Sequence, residues 1–183
     1  MDTADVKVLL PNESKEEESC RQENKKSVCR DIIAASMWVL GFQVVSFGLG
    51  FCFHGDPDWM RSLKQSILTP PPYVFGIVWP ILYTLLGIYS WVLSNRRKVP
   101  EYNNLYYAAW LQMLVNWSYM PVFFYLHLLA SGLMVLCVIV SVTGYMIIKL
   151  WLMKSYKVSL LIIPYFIWCS FATYLSVMLV ILN

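Results

Sequence analysis

Hydrophobic and polar positions along this chain separate into blocks, with neither the strict alternation of a half-buried strand nor the three-to-four spacing of a surface helix. Five blocks, 32–53, 73–94, 105–126, 128–150 and 158–181, contain no Asp, Glu, Lys or Arg apart from Lys149 near the end of the fourth. About 20 such residues cross the hydrocarbon core of a bilayer as a helix. In lipid, a helix satisfies its own backbone hydrogen bonds within one segment. The pattern therefore predicts an all-α, polytopic membrane protein built as a five-transmembrane-helix bundle. Its connections are a long polar interval at 54–72, a shorter one at 95–104, a tight turn around His127 and a link at 151–157.

Upstream of the first block the pattern changes. Residues 1–30 hold seven acids and six bases with almost no aliphatic periodicity, and such a stretch buries too little apolar surface to offset its ordering entropy. It reads as a disordered charged cytoplasmic tail (1–31) before the membrane domain (32–183). The first apolar run lies too far from Met1 and is too long for a cleavable signal peptide. Five spans put the termini on opposite sides. Of the 14 Lys and Arg residues, 12 fall in the tail, the second connection and the region of the fourth, against Arg61 and Lys64 in the first. Positive loops stay cytoplasmic, so the N-terminus is expected inside and Asn183 outside.

Composition adds exclusions. With 58% hydrophobic and 14% charged residues and a net charge of +3, the chain lacks the dense basic footprint of a nucleic-acid binder. Its five cysteines (Cys20, Cys29, Cys52, Cys137, Cys169) are odd in number and scattered, which argues against a disulfide framework. Cys52 and His54 are two metal-type ligands where four are usual. The spans carry no ionisable pair of the kind an ion-coupled pump needs and no nucleophile–base pair, so neither a pump nor an enzyme is expected. No metal or cofactor is expected either.

Three motifs carry a resemblance. The run Thr69-Pro-Pro-Pro-Tyr-Val-Phe-Gly-Ile-Val-Trp-Pro-Ile-Leu-Tyr83 opens the second span, Gln112-Met-Leu-Val-Asn-Trp-Ser-Tyr-Met-Pro-Val-Phe-Phe124 lies in the third, and Pro164-Tyr-Phe-Ile-Trp168 lies in the fifth. In order and position they resemble the translocator protein (tryptophan-rich sensory protein) family, from about Trp59 to the C-terminus. The resemblance implies an integral-membrane binder, sensor or translocator of hydrophobic ligands, porphyrin or haem-type tetrapyrroles and sterols, in an aromatic pocket inside the bundle. It also implies a homodimer, for which the third span offers the small residues Ala108 and Ala109 beside bulky Tyr107 and Leu111.

Helical geometry shows which side chains share a face. Phe75, Trp79 and Tyr83 drift by about 40° per step, Gln112, Asn116, Tyr119 and Phe123 fall within about 60°, and Tyr165, Trp168, Ala172 and Leu175 within about 80°. Together with the resemblance, convergence of these stripes makes Phe75, Trp79, Tyr83, Gln112, Asn116, Tyr119, Trp168, Ala172 and Leu175 candidate ligand contacts, and the resemblance of the motifs alone adds Tyr73 and Trp117. A deep amide has a second ordinary use, a hydrogen bond between helices, and Tyr73, Trp91, Tyr106, Tyr107 and Trp151, near span ends, also suit interfacial anchoring.

Departures from the family pattern matter. Gln65-Ser66-Ile67-Leu68 stands where the family has a Lys-Pro-aromatic segment, removing a loop tryptophan associated with porphyrin breakdown in bacterial members. No Lys or Arg follows Tyr174, so the weak C-terminal sterol pattern is absent. Passive transport, scaffolding without a dedicated ligand and porphyrin degradation are the rival functions. In the tail, Asp5, Leu9 and Leu10 fit an acidic dileucine sorting signal. With the acid-rich tail, that pattern points to a secretory or endolysosomal membrane, against the outer mitochondrial membrane as the alternative. Cys29, just before the first span, is a palmitoylation candidate.

Overall fold

The computed structural model describes the backbone of residues 3–183 and side chains from Ser19 onward, so Asp5, Leu9 and Leu10 lie outside the described side chains. Every described element is helical: α1 (Thr3–Cys52), α2 (Pro57–Ser62), α3 (Pro72–Arg96), α4 (Pro100–Tyr119), a π-helical segment (Met120–Tyr125), α5 (Leu129–Leu152), α6 (Tyr156–Ser159) and α7 (Ile163–Leu182). The chain divides into two compact units, Met1–Met37 and Trp38–Asn183, and α1 contributes to both.

In the first unit, α1 starts at Thr3, so the backbone is helical across the stretch expected to be a disordered tail. From residue 12 the physical reason is local: residues 12–40 contain neither Gly nor Pro and are rich in Glu, Gln, Lys, Arg and Ala, which favour a helix. Val28, Ile32, Ile33 and Met37 are all exposed.

In the second unit, proline sets the helix starts. Pro57, Pro72, Pro100 and Pro164 each sit in a first turn, where the missing N–H has no intrahelical partner to lose. This moves the last span. It was expected from 158, but the chain makes the short α6, turns through Leu160–Ile162 and begins α7 at Ile163.

Four helices among the described residues are long and apolar enough to cross a membrane, within Ser19–Cys52, Pro72–Arg96, Leu129–Leu152 and Ile163–Leu182. Helix α4 falls short of the fifth because Glu101, Asn103, Asn104, Gln112 and Asn116 dilute its apolar content. Its end is also irregular. At Pro121 the helix widens, and the Leu126 N–H donates to the Pro121 carbonyl five residues back at 2.9 Å, the π pattern that often marks functional positions. His127 then reverses the chain with φ 56°, a left-handed conformation that His tolerates better than most non-glycine residues.

Helix α5 packs between α4 and α7, and α3 closes against both. The core is a stack of buried residues from each: Leu82, Leu86, Tyr89 and Leu93 on α3, Leu105, Ala109 and Met113 on α4, Leu136, Ile139, Met146 and Leu150 on α5, Tyr165 and Cys169 on α7. Helix α1 reaches α3 at a glycine: a Cβ on Gly87 would stand 2.7 Å from Val39 Cα. The opposite faces of these helices expose Ile77, Ile81, Leu111, Leu114, Met134, Ile148 and Ile167, an outer surface suited to lipid chains.

Candidate functional site

The polar chemistry of the bundle converges on one phenol. Tyr165, fully buried on α7, accepts hydrogen bonds from Asn116 Nδ2 at 2.8 Å and from Gln112 Nε2. Asn116 in turn accepts at Oδ1 from the Tyr83 hydroxyl at 2.9 Å. The four side chains join α3, α4 and α7, and their order follows from spacing: Gln112 and Asn116 are one helical turn apart and face the same way. Gln112 Oε1 is buried without a partner. Turning the amide over would let the Tyr165 O–H donate to oxygen but would then leave the NH2 group unpaired, so one end of this amide has no protein partner in either orientation.

Aromatic rings line both flanks. Trp79 stacks on Tyr83 with centroids 5.4 Å apart and meets Tyr165 edge-on at 6.4 Å. Phe75 meets Trp168 edge-on at 5.5 Å, linking α3 to α7, and the Trp168 indole N–H is also buried without a partner. Tyr119, at the end of α4, stacks on Phe123 of the π-helical segment at 5.1 Å. Leu175 is buried and Ala172 packs against the core. Phenols, amides, indoles and the Cys169 thiol make up this region, and no charged group enters it. Such a set offers π faces and a few hydrogen-bonding atoms in an apolar setting.

Two expected contacts lie elsewhere. Tyr73 is 68% exposed at the start of α3, consistent with an interfacial anchor. Trp117 is turned to the other flank of α4, where its indole donates to Ser46 Oγ at 3.0 Å and packs edge-on to Phe42. That flank also holds Gln43, whose Nε2 donates to the Pro80 carbonyl at 2.7 Å and to Thr84 Oγ1 at 3.2 Å, pinning α1 to the proline turn of α3. Gln43 and Ser46 are not among the expected contacts, although an amide within the apolar run 32–53 is the same signal that singles out Asn116.

The first connection carries an indole after all, at Trp59 on α2. It stacks face to face on His127 at 4.1 Å and 14°, and meets Phe123 edge-on at 5.6 Å. Gly55 permits this docking, since a Cβ there would stand 2.8 Å from the Phe124 ring. The far end of the connection is held by Asn183, which accepts from the Lys64 N–H at 2.9 Å and donates to the Lys64 carbonyl at 3.1 Å. Ile67 is 99% exposed. His54 Nδ1 donates to the Phe51 carbonyl at 2.9 Å, and among the described residues no three His, Cys, Asp or Glu side chains gather as a metal site.

Long apolar helices packed around an uncharged amide–phenol cluster define an integral, multi-pass membrane protein. The chain belongs to the TspO/MBR family, which it matches over residues 35–182. It is similar to the uncharacterized membrane protein YtaB of Bacillus subtilis, 27% identical over 146 residues that cover 78% of this chain and 91% of that protein. Protein CrtK of Rhodobacter capsulatus is 33% identical over 115 residues, 62% of this chain and 71% of that one. The human translocator protein is 28% identical over 131 residues, 67% and 74% of the two chains.

Proposed function

We propose that this protein binds a planar, largely apolar ligand of the porphyrin class between α3, α4 and α7, as a membrane sensor or translocator and without turnover. One observation carries the reading: the buried amide–phenol cluster keeps unpaired hydrogen-bonding atoms on Gln112 and Trp168 beside the rings of Phe75, Trp79 and Tyr83. Buried polar groups are ordinarily paired, and a mostly apolar site with a few convergent polar atoms suits a flat hydrophobic ligand. The names of relatives, among them translocator protein and tryptophan-rich sensory protein, accord with transport or sensing.

A second reading draws on the hydrogen bonds themselves, which run from helix to helix and accord with a structural pin in a scaffold protein. Titration of the detergent-solubilised protein with protoporphyrin, followed by quenching of its tryptophans, separates the two. Ligand binding requires a saturable curve with micromolar or tighter affinity, and a linear, unsaturable curve would leave only the pin.

The same reading takes α4 with its π-helical extension as a fifth span. Residues 100–125 reach about 39 Å at 1.5 Å per residue, more than the roughly 30 Å core, and the amides of α4 turn toward Tyr83 and Tyr165 instead of lipid. The N-terminus is then cytoplasmic by the distribution of Lys and Arg, in a secretory or endolysosomal membrane.

A further inference from the structure

The end of the bundle where α3 leads to α4 and α5 leads to α6 carries Arg96, Arg97, Lys98, Lys149, Lys154 and Lys157, all exposed. We propose that this end is a docking surface for a phospholipid with a multiply phosphorylated headgroup, of the polyphosphorylated inositol type. The observation behind it is a brace. Arg96 Nη1 donates to the Tyr102 hydroxyl at 3.0 Å, the Tyr102 and Ser155 hydroxyls are 2.6 Å apart, and the Arg96 guanidinium lies 5.4 Å from the centre of the Tyr102 ring. Two connections more than 50 residues apart in sequence are thereby fixed together at one end of the bundle, each with three exposed cations in or beside it. Lys154 is held within its turn in a left-handed conformation at φ 55°, its N–H donating to the Trp151 carbonyl at 2.9 Å.

The plain alternative is that these cations serve the negative ends of helix dipoles. It accounts for Arg96, Lys149 and Lys157, in the last turns of α3, α5 and α6, and for Arg97 at the C-cap of α3, but not for Lys98 or Lys154, which lie beyond α3 and α5. Counter-charge is sparse. Glu101 is the one acid in these two connecting segments and is exposed; the ion pair among the described residues, Arg61–Asp58, belongs to α2 at the other end. Depth in the membrane is marked by Trp151 and Tyr156, both exposed, edge-on at 6.0 Å, the aromatic pair expected at the level of lipid headgroups. Juxtamembrane clusters of four to eight cations favour anionic and polyphosphorylated lipids. The brace adds fixed spacing, which suits several phosphates on one ring better than a diffuse layer of single charges. In the proposed orientation this end faces the cytoplasm.

The test uses the full chain in detergent with dioctanoyl phosphatidylinositol bisphosphate, dioctanoyl phosphatidylserine and free inositol trisphosphate, read by calorimetric titration, with thermal melting to confirm that each variant is folded. The bisphosphate lipid is expected to bind saturably and at least tenfold more tightly than phosphatidylserine. Joint replacement Arg97→Gln, Lys98→Gln, Lys154→Gln and Lys157→Gln should weaken it at least tenfold. Tyr102→Phe, which keeps every charge but breaks the brace, should weaken it severalfold, while Arg61→Gln with Lys64→Gln should leave it unchanged. Equal binding of phosphatidylserine, or full affinity in a folded Tyr102→Phe variant, would reduce the surface to unspecific charge and overturn the proposal. Free inositol trisphosphate binding as tightly as the lipid would assign it to a soluble phosphate and overturn the lipid.

Discussion

Tyr165 shows how much a single hydroxyl can organise in an apolar bundle. Two amides from α4 donate to it, and its ring supports the Trp79–Tyr83 stack. Tyr165→Phe keeps the ring and strips both amides of their acceptor, leaving buried donors unpaired. The protein should lose about 1–2 kcal/mol of stability, near the upper range for hydrogen bonds in membranes, visible as a lower melting temperature in detergent. Combining Tyr165→Phe with Asn116→Leu should cost less than the two losses added, because both disable one hydrogen bond; strict additivity would show that they do not share it. Gln112 and Asn116 were legible in the sequence because amides stand out in an apolar span. Their partner was less so. Tyr165 appears in the α7 stripe, but periodicity reveals which residues share a face and not which faces meet; Trp117, taken from the motif and on none of the stripes, faces Ser46 and Phe42.

At the scale of elements, the apolar blocks marked every long helix of the bundle and proline marked where α3 begins, whereas α4 and α7 start at Pro100 and Ile163 and not at 105 and 158. Less was legible where local chemistry competes with hydropathy. Amides make α4 look less like a span than its neighbours, the π turn at Pro121 has no compositional signature, and the backbone is helical in the first half of α1, where the charge pattern reads as disorder. Close helix contacts were also hidden, because the pattern shows a glycine but not what lies beyond it. At Gly87 that neighbour is the backbone of Val39, which cannot rotate aside as a side chain can. Gly87→Ala is therefore expected to separate α1 from α3 and lower the melting temperature by several degrees. Gly41→Ala, with nothing within 4 Å of the added carbon, should leave it unchanged or raise it, since alanine favours the helix by about 1 kcal/mol. Equal effects at the two positions would contradict the tight α1–α3 contact.

For the whole molecule, cations and helices make one account of topology. The braced turns with Arg96–Lys98 and Lys154–Lys157 lie at one end, and α2 and Asn183 at the other. With α4 as a fifth span, protease added outside sealed microsomes should remove an N-terminal tag and spare a C-terminal one; the opposite pattern would reverse the orientation. The central claim is that the cluster beneath these ends is a ligand site. It is tested most directly by titrating protoporphyrin into the wild type, Trp168→Ala and Asn116→Leu, each first shown to be folded by its melting curve. Trp168→Ala removes a ring that meets Phe75 and Phe171, and a stacked ring contributes about 0.5–1.5 kcal/mol beyond its buried area, so affinity should fall by roughly twofold to tenfold. Asn116→Leu should weaken binding as well, by removing the amide that joins Tyr83 to Tyr165. Saturable binding in the wild type that weakens in both variants is the result expected, and unchanged affinity in both folded variants would place the ligand elsewhere.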